Sequence, residues 1–250
     1  PDQGLFVVFV LGVFIMRSAG CVLNDFADRK IDPYVERTRT RPLATGAVAP
    51  LEALTLFAAL SLIAIGLASM LNKQAQLLAV VAAVLTVVYP FIKRYLSIPQ
   101  FVLGAAFGWA VPMAFAAQTG GTPELAWLLF GIAVVWAVIY DTFYAMVDRK
   151  DDVKIGVKST AVLFGEVDLF VIAGLQLLML LGLVFVGFRA ELGLWYYLSV
   201  LVAAGMMAWH LWLARDRQPA GCFEAFLKNH LIGMVIFIGI VLHYTFSAGN

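Results

Sequence analysis

Long apolar runs alternate with short polar segments along the whole chain. A helix that crosses the hydrocarbon core of a bilayer needs roughly 20 mostly apolar residues. The runs are continuously apolar rather than alternating, which argues against the strands of a membrane barrel. The pattern predicts an all-α, polytopic transmembrane bundle with eight spans, at about Gly4–Leu23, Leu51–Leu71, Gln76–Ile92, Gln100–Ala117, Glu124–Val147, Val167–Phe188, Leu192–Ala214 and Phe226–Phe246.

Composition supports a membrane protein. Hydrophobic residues make up 62% of the 250 residues, and charged residues only 13%. Soluble domains carry about 25% charged residues, and one core could not bury this much apolar surface. The chain is therefore expected to contact membrane lipid and to have no nucleic-acid partner. Its two cysteines, Cys21 and Cys222, form no CxxC pattern and suggest no disulfide framework.

Basic residues lie almost entirely on one side of the predicted membrane. Most of them lie in the loops after the first, third, fifth and seventh spans, which are the odd-numbered loops. By the positive-inside rule, these loops face the cytoplasm. The even-numbered loops hold only Lys73 and Arg189. The residues of the odd loops are Arg29, Lys30, Arg37, Arg39, Arg41, Lys93, Arg94, Arg149, Lys150, Lys154, Lys158, Arg215, Arg217 and Lys228.

Acidic residues form two matching clusters on that same side. Residues 28–32 read DRKID, and residues 148–152, which lie 120 positions later, read DRKDD. Each cluster directly follows an apolar span, and Gly46 and Gly165 then follow at similar distances. The match predicts one transmembrane domain made of two pseudo-repeated halves, about 1–120 and 121–250.

Helical spacing aligns the polar residues within each cluster. Residues four apart on a helix lie about 40° from each other and one turn along. Asn24, Asp28 and Asp32 are therefore predicted to form one polar stripe on one helix. The second cluster gives the matching stripe of Asp141, Asp148 and Asp152. Acids at helix C-termini oppose the helix dipole, which indicates a functional reason for them.

Carboxylates one turn apart repel each other unless a cation lies between them. Oxygen-only ligands suit Mg²⁺, which keeps some of its water and takes substrate phosphates as further ligands. Two facing stripes would hold two metal ions around a diphosphate. Cationic candidates for that diphosphate are Arg29, Arg41, Lys93 and Lys150, with Tyr89 one turn before Lys93. Each of these basic residues also admits a plainer interpretation, as an orientation signal or an anionic-lipid contact.

Arg17 is the remaining basic residue, and it lies inside the first predicted span. Ionisable groups at such depth are costly and by default mark a site. Arg17 lies two turns before Asn24, on the same face and about 10 Å deeper. We expect a buried guanidinium that grips a carboxylate or phosphate with two hydrogen bonds. A structural pair with an acid such as Asp141 is the alternative.

These features together fit an amphiphilic substrate with a diphosphate head on a long hydrocarbon. Metal ions would neutralise the leaving diphosphate, and a water-excluding bundle would protect an allylic cation from quenching. Nearby aromatic faces would stabilise that cation. The acceptor must be an electron-rich nucleophile, which Arg17 would orient if it is acidic.

At this point the sequence resembles a known family. Residues 24–32, NDFADRKID, are similar to the NDxxDxxxD motif of the UbiA superfamily of intramembrane aromatic prenyltransferases. Residues 141–152 resemble its second motif, DxxYxxxDxxxD, and the segments 153–160 and 41–46 also fit. The resemblance covers essentially the whole chain. Segments 104–117 and 140–160 are most similar to the bacterial branch that uses 4-hydroxybenzoate in ubiquinone biosynthesis.

The resemblance implies a set of roles. It implies Mg²⁺-dependent transfer of a polyprenyl group from polyprenyl diphosphate to the ring carbon ortho to the hydroxyl of 4-hydroxybenzoate. Arg17 would receive the benzoate carboxylate. Arg41 and Lys93 would contact the diphosphate, with Tyr89 and Asp141 nearby. The implied ligands of metal and diphosphate are Asn24, Asp28, Asp32, Asp148 and Asp152. The site would open to the cytoplasmic side of a bacterial inner membrane.

One feature departs from the family pattern. The family has nine spans with the first motif after the second span, whereas here that motif follows the first span. We therefore expect a further helix before Pro1.

Three other interpretations compete with this one. Another branch of the superfamily would use homogentisate, a naphthoate, haem or a glycerophosphate ether as acceptor. A secondary transporter would also have duplicated halves and intramembrane charge, although DxxxD pairs at helix ends suit a metal–diphosphate site better. A CDP-alcohol phosphotransferase needs a glycine after an early aspartate and an Ala-Arg pair, and residues 25–32 contain neither.

Overall fold

The regular elements of the chain are all helical. The computed structural model describes residues 2–92, 95–96 and 98–247, and it contains no strand within these ranges. Eight of its helical segments are long and apolar enough to cross a membrane, which confirms the predicted all-α fold and number of spans. The α-helices are α1 (Gln3–Asp28), α2 (Pro42–Thr45), α3 (Pro50–Ser69), α4 (Lys73–Ile92), α5 (Pro99–Gly108), α6 (Ala110–Thr119), α7 (Glu124–Ile155), α8 (Thr160–Phe164), α9 (Asp168–Arg189), α10 (Leu194–Ala214), α11 (Pro219–Lys228) and α12 (His230–Ser247).

Two of the predicted spans are interrupted helices. The fourth span divides into α5 and α6 around Trp109. Pro112 lacks the N–H that would bond to the carbonyl of Gly108, and its ring crowds that carbonyl. The eighth span divides into α11 and α12 at Asn229, whose side-chain Nδ2 donates to the Ala225 carbonyl. Such breaks are tolerated in a membrane where neighbouring groups satisfy the freed backbone.

The first acidic motif does not lie on one helix, which corrects the prediction of a single stripe. α1 ends at Asp28, and Asp32 begins a short 3-10 helix, Asp32–Tyr34. Pro33 prevents the helix from continuing, because it has no N–H to bond to the carbonyl of Arg29 and its ring crowds that carbonyl. Only Asn24 and Asp28 therefore share a helical face.

The second acidic motif does lie on one helix. α7 continues beyond the predicted end at Val147 and stops at Ile155, where Gly156 adopts the left-handed conformation with φ 74°. The predicted end followed the loss of hydropathy at residue 148, but no proline or glycine interrupts the helix there. Asp148 and Asp152 thus stand one turn apart on the extension of α7.

A close contact between α5 and α7 brings the two halves of the chain together. An added Cβ at Gly104 would lie 2.9 Å from the carbonyl oxygen of Val134. Gly108, one turn later, faces Phe130 and Ala133 in the same way. Small residues at such positions let two membrane helices approach closely.

The larger buried core lies among α7, α9 and α10. Phe143, Ile172 and Tyr196 are fully shielded there. The Tyr196 hydroxyl donates a 2.8 Å hydrogen bond to the Leu183 carbonyl, so this buried polar group has its partner. α7 is thereby held on one side by α5 and on the other by this core.

Candidate active site

The first acidic motif forms a charged cluster where α1 ends. Asp28 and Asp32 are buried, and Asn24 is half-buried one turn before Asp28. The Arg41 Nη1 atom lies 2.8 Å from Asp25 Oδ1 and 3.2 Å from Asp32 Oδ2. Arg41, predicted to contact a diphosphate, therefore already holds two acids of this motif together.

The environment of Asp32 shifts its titration. Burial raises the pKa of Asp32 above its usual value, and the neighbouring charge of Asp28 adds to the rise, whereas Arg41 and a hydrogen bond from Thr38 oppose it. Loss of water disfavours the charged form of a carboxylate. A bound cation would reverse that penalty, so Asp32 is a suitable place for one.

The second motif lines one face of α7. Asp148 is half-buried and Asp152 is buried in the last turn of the helix. Asp141 is also half-buried, and its seven-residue spacing places it about 20° from the direction of Asp148. The predicted stripe on this helix is confirmed as a shared face.

Arg37 joins the two motifs. Its Nε lies 3.1 Å from Asp148 Oδ1, and its Nη2 lies 2.5 Å from Asp148 Oδ2. The neighbouring Glu36 donates its backbone N–H to Asp151 Oδ2 at 3.3 Å. The segment between Asp32 and Arg41 thus crosses from the first motif to the second and docks on α7.

Sequence reasoning counted Arg37 only as an orientation signal. Arg37 lies in an irregular segment, so helical periodicity cannot align it with either motif. The available signal was the high density of charged residues between 29 and 41. That signal identifies a segment but not the residue.

An aromatic wall extends from the acidic site into the membrane. Trp136, Tyr140 and Tyr144 stand one turn apart on α7, each 6.4 Å or less between ring centroids from another aromatic ring. Phe226 of α11 lies 4.4 Å from Tyr144 and 6.2 Å from Tyr140. The Arg37 guanidinium stacks over Tyr144 at 4.2 Å. The wall was not predicted residue by residue, because periodicity alone does not distinguish lipid-facing from interior aromatic side chains.

Tyr89 of α4 lies near both motifs. It interacts electrostatically with Asp141 of α7 and with Asp28 of α1. Tyr89 therefore lies between the acidic ends of α1 and α7, and its role beside a diphosphate stays a prediction. Lys93, the predicted partner of Tyr89, lies outside the described residues.

Arg17 is exposed, which corrects the expectation of a buried guanidinium. The packed stripe of α1 runs through Ala19, Leu23 and Ala27, and Arg17 points about 160° away from Ala19. Its guanidinium lies 5.3 Å from the ring centroid of Phe107. No ion pair joins Arg17 to a carboxylate among the described residues, so the alternative of a pair with Asp141 is not observed.

The two other predicted cations lie at the rim of the cluster. Arg29 folds back on its own helix, where Nη1 donates to the Phe26 carbonyl at 2.5 Å and the guanidinium lies 4.2 Å from the Phe26 ring centroid. Lys150 is exposed and forms no ion pair within the part of the chain that the structure describes. Neither side chain contacts the described carboxylates of the motifs.

A buried charge cluster anchors the end of α7. Asp168, the first residue of α9, is fully buried and pairs with Arg149 and Arg217. Its Oδ1 also accepts the backbone N–H of Leu169 at 2.6 Å. This cluster fixes the helix extension that carries Asp148 and Asp152.

The donor set suits a hard divalent cation that shares a substrate's oxygens. Across the described ranges, no group of three or more His, Cys, Asp or Glu side chains lies close enough to hold a metal ion by itself. Mg²⁺ does not require such a cage, since one or two carboxylates and substrate phosphates are its usual ligands. The oxygen donors at the ends of α1 and α7 therefore fit Mg²⁺ bound together with a diphosphate.

Comparisons with known proteins agree with this arrangement. A sequence profile described as the UbiA prenyltransferase family matches residues 1–238. A curated protein of Nitrosococcus oceani, 4-hydroxybenzoate octaprenyltransferase, is 58% identical over 244 residues, which cover 98% of this chain and 86% of the relative.

Solved structures share the fold. The apo structure of a UbiA homolog from Aeropyrum pernix K1 superposes with a TM-score of 0.85 at 25% identity, covering 97% of this chain and 90% of the other. A UbiA homolog from Archaeoglobus fulgidus bound to GPP and Mg²⁺ gives a TM-score of 0.68 at 19% identity, covering 96% and 89%. The eight apolar helices and these matches identify an integral membrane protein.

Proposed function

The chain belongs to the UbiA prenyltransferase family, and we propose that it prenylates 4-hydroxybenzoate. In this reaction a polyprenyl group moves from polyprenyl diphosphate to the ring carbon ortho to the hydroxyl, as a step of ubiquinone biosynthesis. The relatives that are 50–58% identical to the chain carry the name 4-hydroxybenzoate octaprenyltransferase.

The contact between Arg37 and Asp148 is the observation that carries this proposal. It links the segment that directly follows the first motif to the second motif, across 111 residues of sequence. Because the two acidic motifs meet on one side of the bundle, a single diphosphate can contact both.

The proposed metal ligands are the polar residues of the two motifs. When bound, Mg²⁺ supplies neutralisation of the negative charge on the leaving diphosphate. We assign to it and to the diphosphate Asn24, Asp28, Asp32, Asp148 and Asp152. We assign Asp141, two turns before Asp148 on the same face of α7, to the part of the site where the prenyl group is transferred.

The cations of the cytoplasmic rim complete the proposed diphosphate site. Arg41 is the best placed of them, because it already contacts Asp32 and Asp25. Lys93, Tyr89, Arg29 and Lys150 are assigned to the same role. The positive charges of the basic residues attract the diphosphate and stabilise it as the leaving group, and the neutral Tyr89 hydroxyl offers a hydrogen bond.

Residues of the chain also act on the prenyl cation and on the aromatic acceptor. The bond between the allylic carbon and the diphosphate oxygen breaks, the ring carbon forms the new carbon–carbon bond, and that carbon then loses its proton. The aromatic wall of α7 excludes water from the cation and presents ring faces to it. Arg17 receives the carboxylate of 4-hydroxybenzoate, because a guanidinium matches a carboxylate with two hydrogen bonds.

The proposed setting is a bacterial inner membrane with membrane lipid around the bundle. The site opens to the cytoplasmic side, because the loops beside it hold most of the basic residues. Polyprenyl diphosphate can then place its head at the cytoplasmic surface and its chain in the bilayer.

A membrane assay tests the proposal. Membranes that contain the chain receive labelled 4-hydroxybenzoate and a prenyl diphosphate, with Mg²⁺ or with EDTA. Product should form only with Mg²⁺ and should be lost in Asp28→Ala and Asp148→Ala, whereas Asp216→Ala, an exposed loop variant, should behave as the parent. Equal product in EDTA, or preferred use of homogentisate or a naphthoate in parallel reactions, would contradict it.

A further inference from the structure

We propose that Arg37 is an exchangeable counter-ion, whose guanidinium competes with the divalent cation for the carboxylate of Asp148. This inference rests on the proposed function, since it takes Asp148 as a metal ligand. It adds a role for a residue that neither the motifs nor the comparisons identify.

The geometry of the pair makes the competition direct. Nε and Nη2 of Arg37 engage the two oxygens of Asp148, at 3.1 Å from Oδ1 and 2.5 Å from Oδ2. A fork of this kind is among the strongest charge-assisted contacts of a carboxylate. A metal that binds Asp148 must use the same oxygens, so the two partners exclude each other at least in part.

Neighbouring groups hold the Arg37 guanidinium in its position. Arg37 stacks over Tyr144, which precedes Asp148 by one turn of α7. The adjacent Glu36 N–H holds the segment to Asp151. The Arg37 and Asp148 side chains are only 27% and 15% exposed, so solvent and salt screen the pair less than they screen a surface pair.

The other charges that face Arg37 belong to the same site. Arg37 interacts electrostatically with Asp32 of the first motif and with Asp152 of α7. One guanidinium therefore stands among three carboxylates that the proposed function gives to the metal. Its positive charge opposes the entry of a second cation.

Release of Asp148 requires another anion for Arg37. A diphosphate offers paired oxygens that match the guanidinium fork as well as a carboxylate does. Metal and diphosphate should therefore bind with positive coupling, and each should raise the affinity of the other by the same factor. Arg37 would make metal loading depend on the presence of the prenyl substrate.

Measurements of Mn²⁺ binding test the competition between Arg37 and the cation without measuring activity. The purified full chain in detergent is titrated with Mn²⁺ alone and followed by electron paramagnetic resonance, then titrated again with farnesyl thiolodiphosphate, an unreactive analogue. Arg37→Gln should bind Mn²⁺ alone about fivefold more tightly than the parent, the equivalent of an ion pair worth about 1 kcal/mol. The gain in Mn²⁺ affinity on adding the analogue should shrink in the same variant.

Arg39→Gln is the matched control. Arg39 has the same charge in the same segment, but it is exposed and pairs with Glu36. Its Mn²⁺ affinity should equal that of the parent. Arg37→Lys keeps the charge and loses the fork, so its affinity should rise by about twofold.

The outcomes distinguish a failure of the counter-ion role from a failure of the proposed function. Unchanged or weaker Mn²⁺ binding in Arg37→Gln overturns the counter-ion role. If Arg37→Gln does not fold, as judged by its melting curve, Arg37→Lys decides, and an affinity equal to that of the parent overturns the role. A parent chain that binds no Mn²⁺, with or without the analogue, contradicts the proposed function instead.

Discussion

The Arg149 guanidinium forms an ion pair with the fully buried carboxylate of Asp168. Arg149 directly follows Asp148, so this pair ties the acidic end of α7 to the first residue of α9. Arg217 Nε approaches the same carboxylate, 3.0 Å from Oδ1. The position of Asp148 therefore depends on a charge cluster that lies outside the predicted site.

Asp168→Ala should destabilise the chain strongly. The substitution leaves the shielded Arg149 guanidinium without its anion and leaves Arg217 with only the exposed Glu166. Breaking a buried pair in this way costs about 3–5 kcal/mol. Thermal unfolding in detergent measures the loss. Glu166→Ala is the control, because Glu166 contacts Arg217 from an exposed position, and its melting temperature should stay close to the parent's. Similar losses in both variants would show that burial of Asp168 does not matter.

Arg17→Ala should impair the use of the acceptor. Loss of a charge-assisted pair with the benzoate carboxylate, worth about 1.5–3 kcal/mol, should raise the KM for 4-hydroxybenzoate by about tenfold or more. The KM for the prenyl diphosphate should change little. Steady-state kinetics with each substrate varied in turn measure both constants, and Arg189→Ala, which removes an exposed pair with Glu124, is the control. A larger rise for the prenyl diphosphate would refute the assignment of Arg17.

Arg41→Gln should impair the use of the other substrate. It removes the cation that Asp25 and Asp32 share, and with it a proposed contact to the diphosphate. We expect the KM for prenyl diphosphate to rise while that for 4-hydroxybenzoate stays near its parent value. Arg39→Gln serves again as the matched variant, and an equal rise for both substrates would indicate general disorder of the segment.

Gly104→Leu should separate α5 from α7. A Cβ at this position would lie 2.9 Å from the Val134 carbonyl oxygen, and overpacking of this kind costs about 1–3 kcal/mol. The melting temperature in detergent should fall accordingly. Gly131→Leu on α7 adds the same side chain where a Cβ meets no atom within 4 Å, and it should be tolerated. Equal losses in the two variants would contradict the close contact.

Periodicity predicted the parts of the site that lie on regular helices. The shared face of Asp141, Asp148 and Asp152 follows from helical spacing, because nothing in the segment breaks α7. The end of α1 before Asp32 could also have been predicted, because Pro33 prevents the helix from continuing. The division into two repeated halves stays a prediction.

Tertiary relationships were beyond the sequence. Arg37 reaches Asp148 through an irregular segment, and no local rule gives the direction of such a segment. Arg17 was expected to be buried because hydropathy reports depth in the membrane, not which face of α1 packs against its neighbours. Asp168 had no predicted role, because its partners Arg149 and Arg217 lie in other segments of the sequence and meet it only in the folded chain.

The span of sequence between Arg37 and Asp148 has a consequence for biogenesis. The two residues are 111 positions apart, and ribosomes add about 5–20 residues per second, so Asp148 follows Arg37 by roughly 6–22 seconds. During that interval the first acidic motif lacks its counterpart, because α3 to α6 must be synthesised and inserted before α7. The complete acidic site can therefore form only late in synthesis, after more than half of the 250 residues have been added.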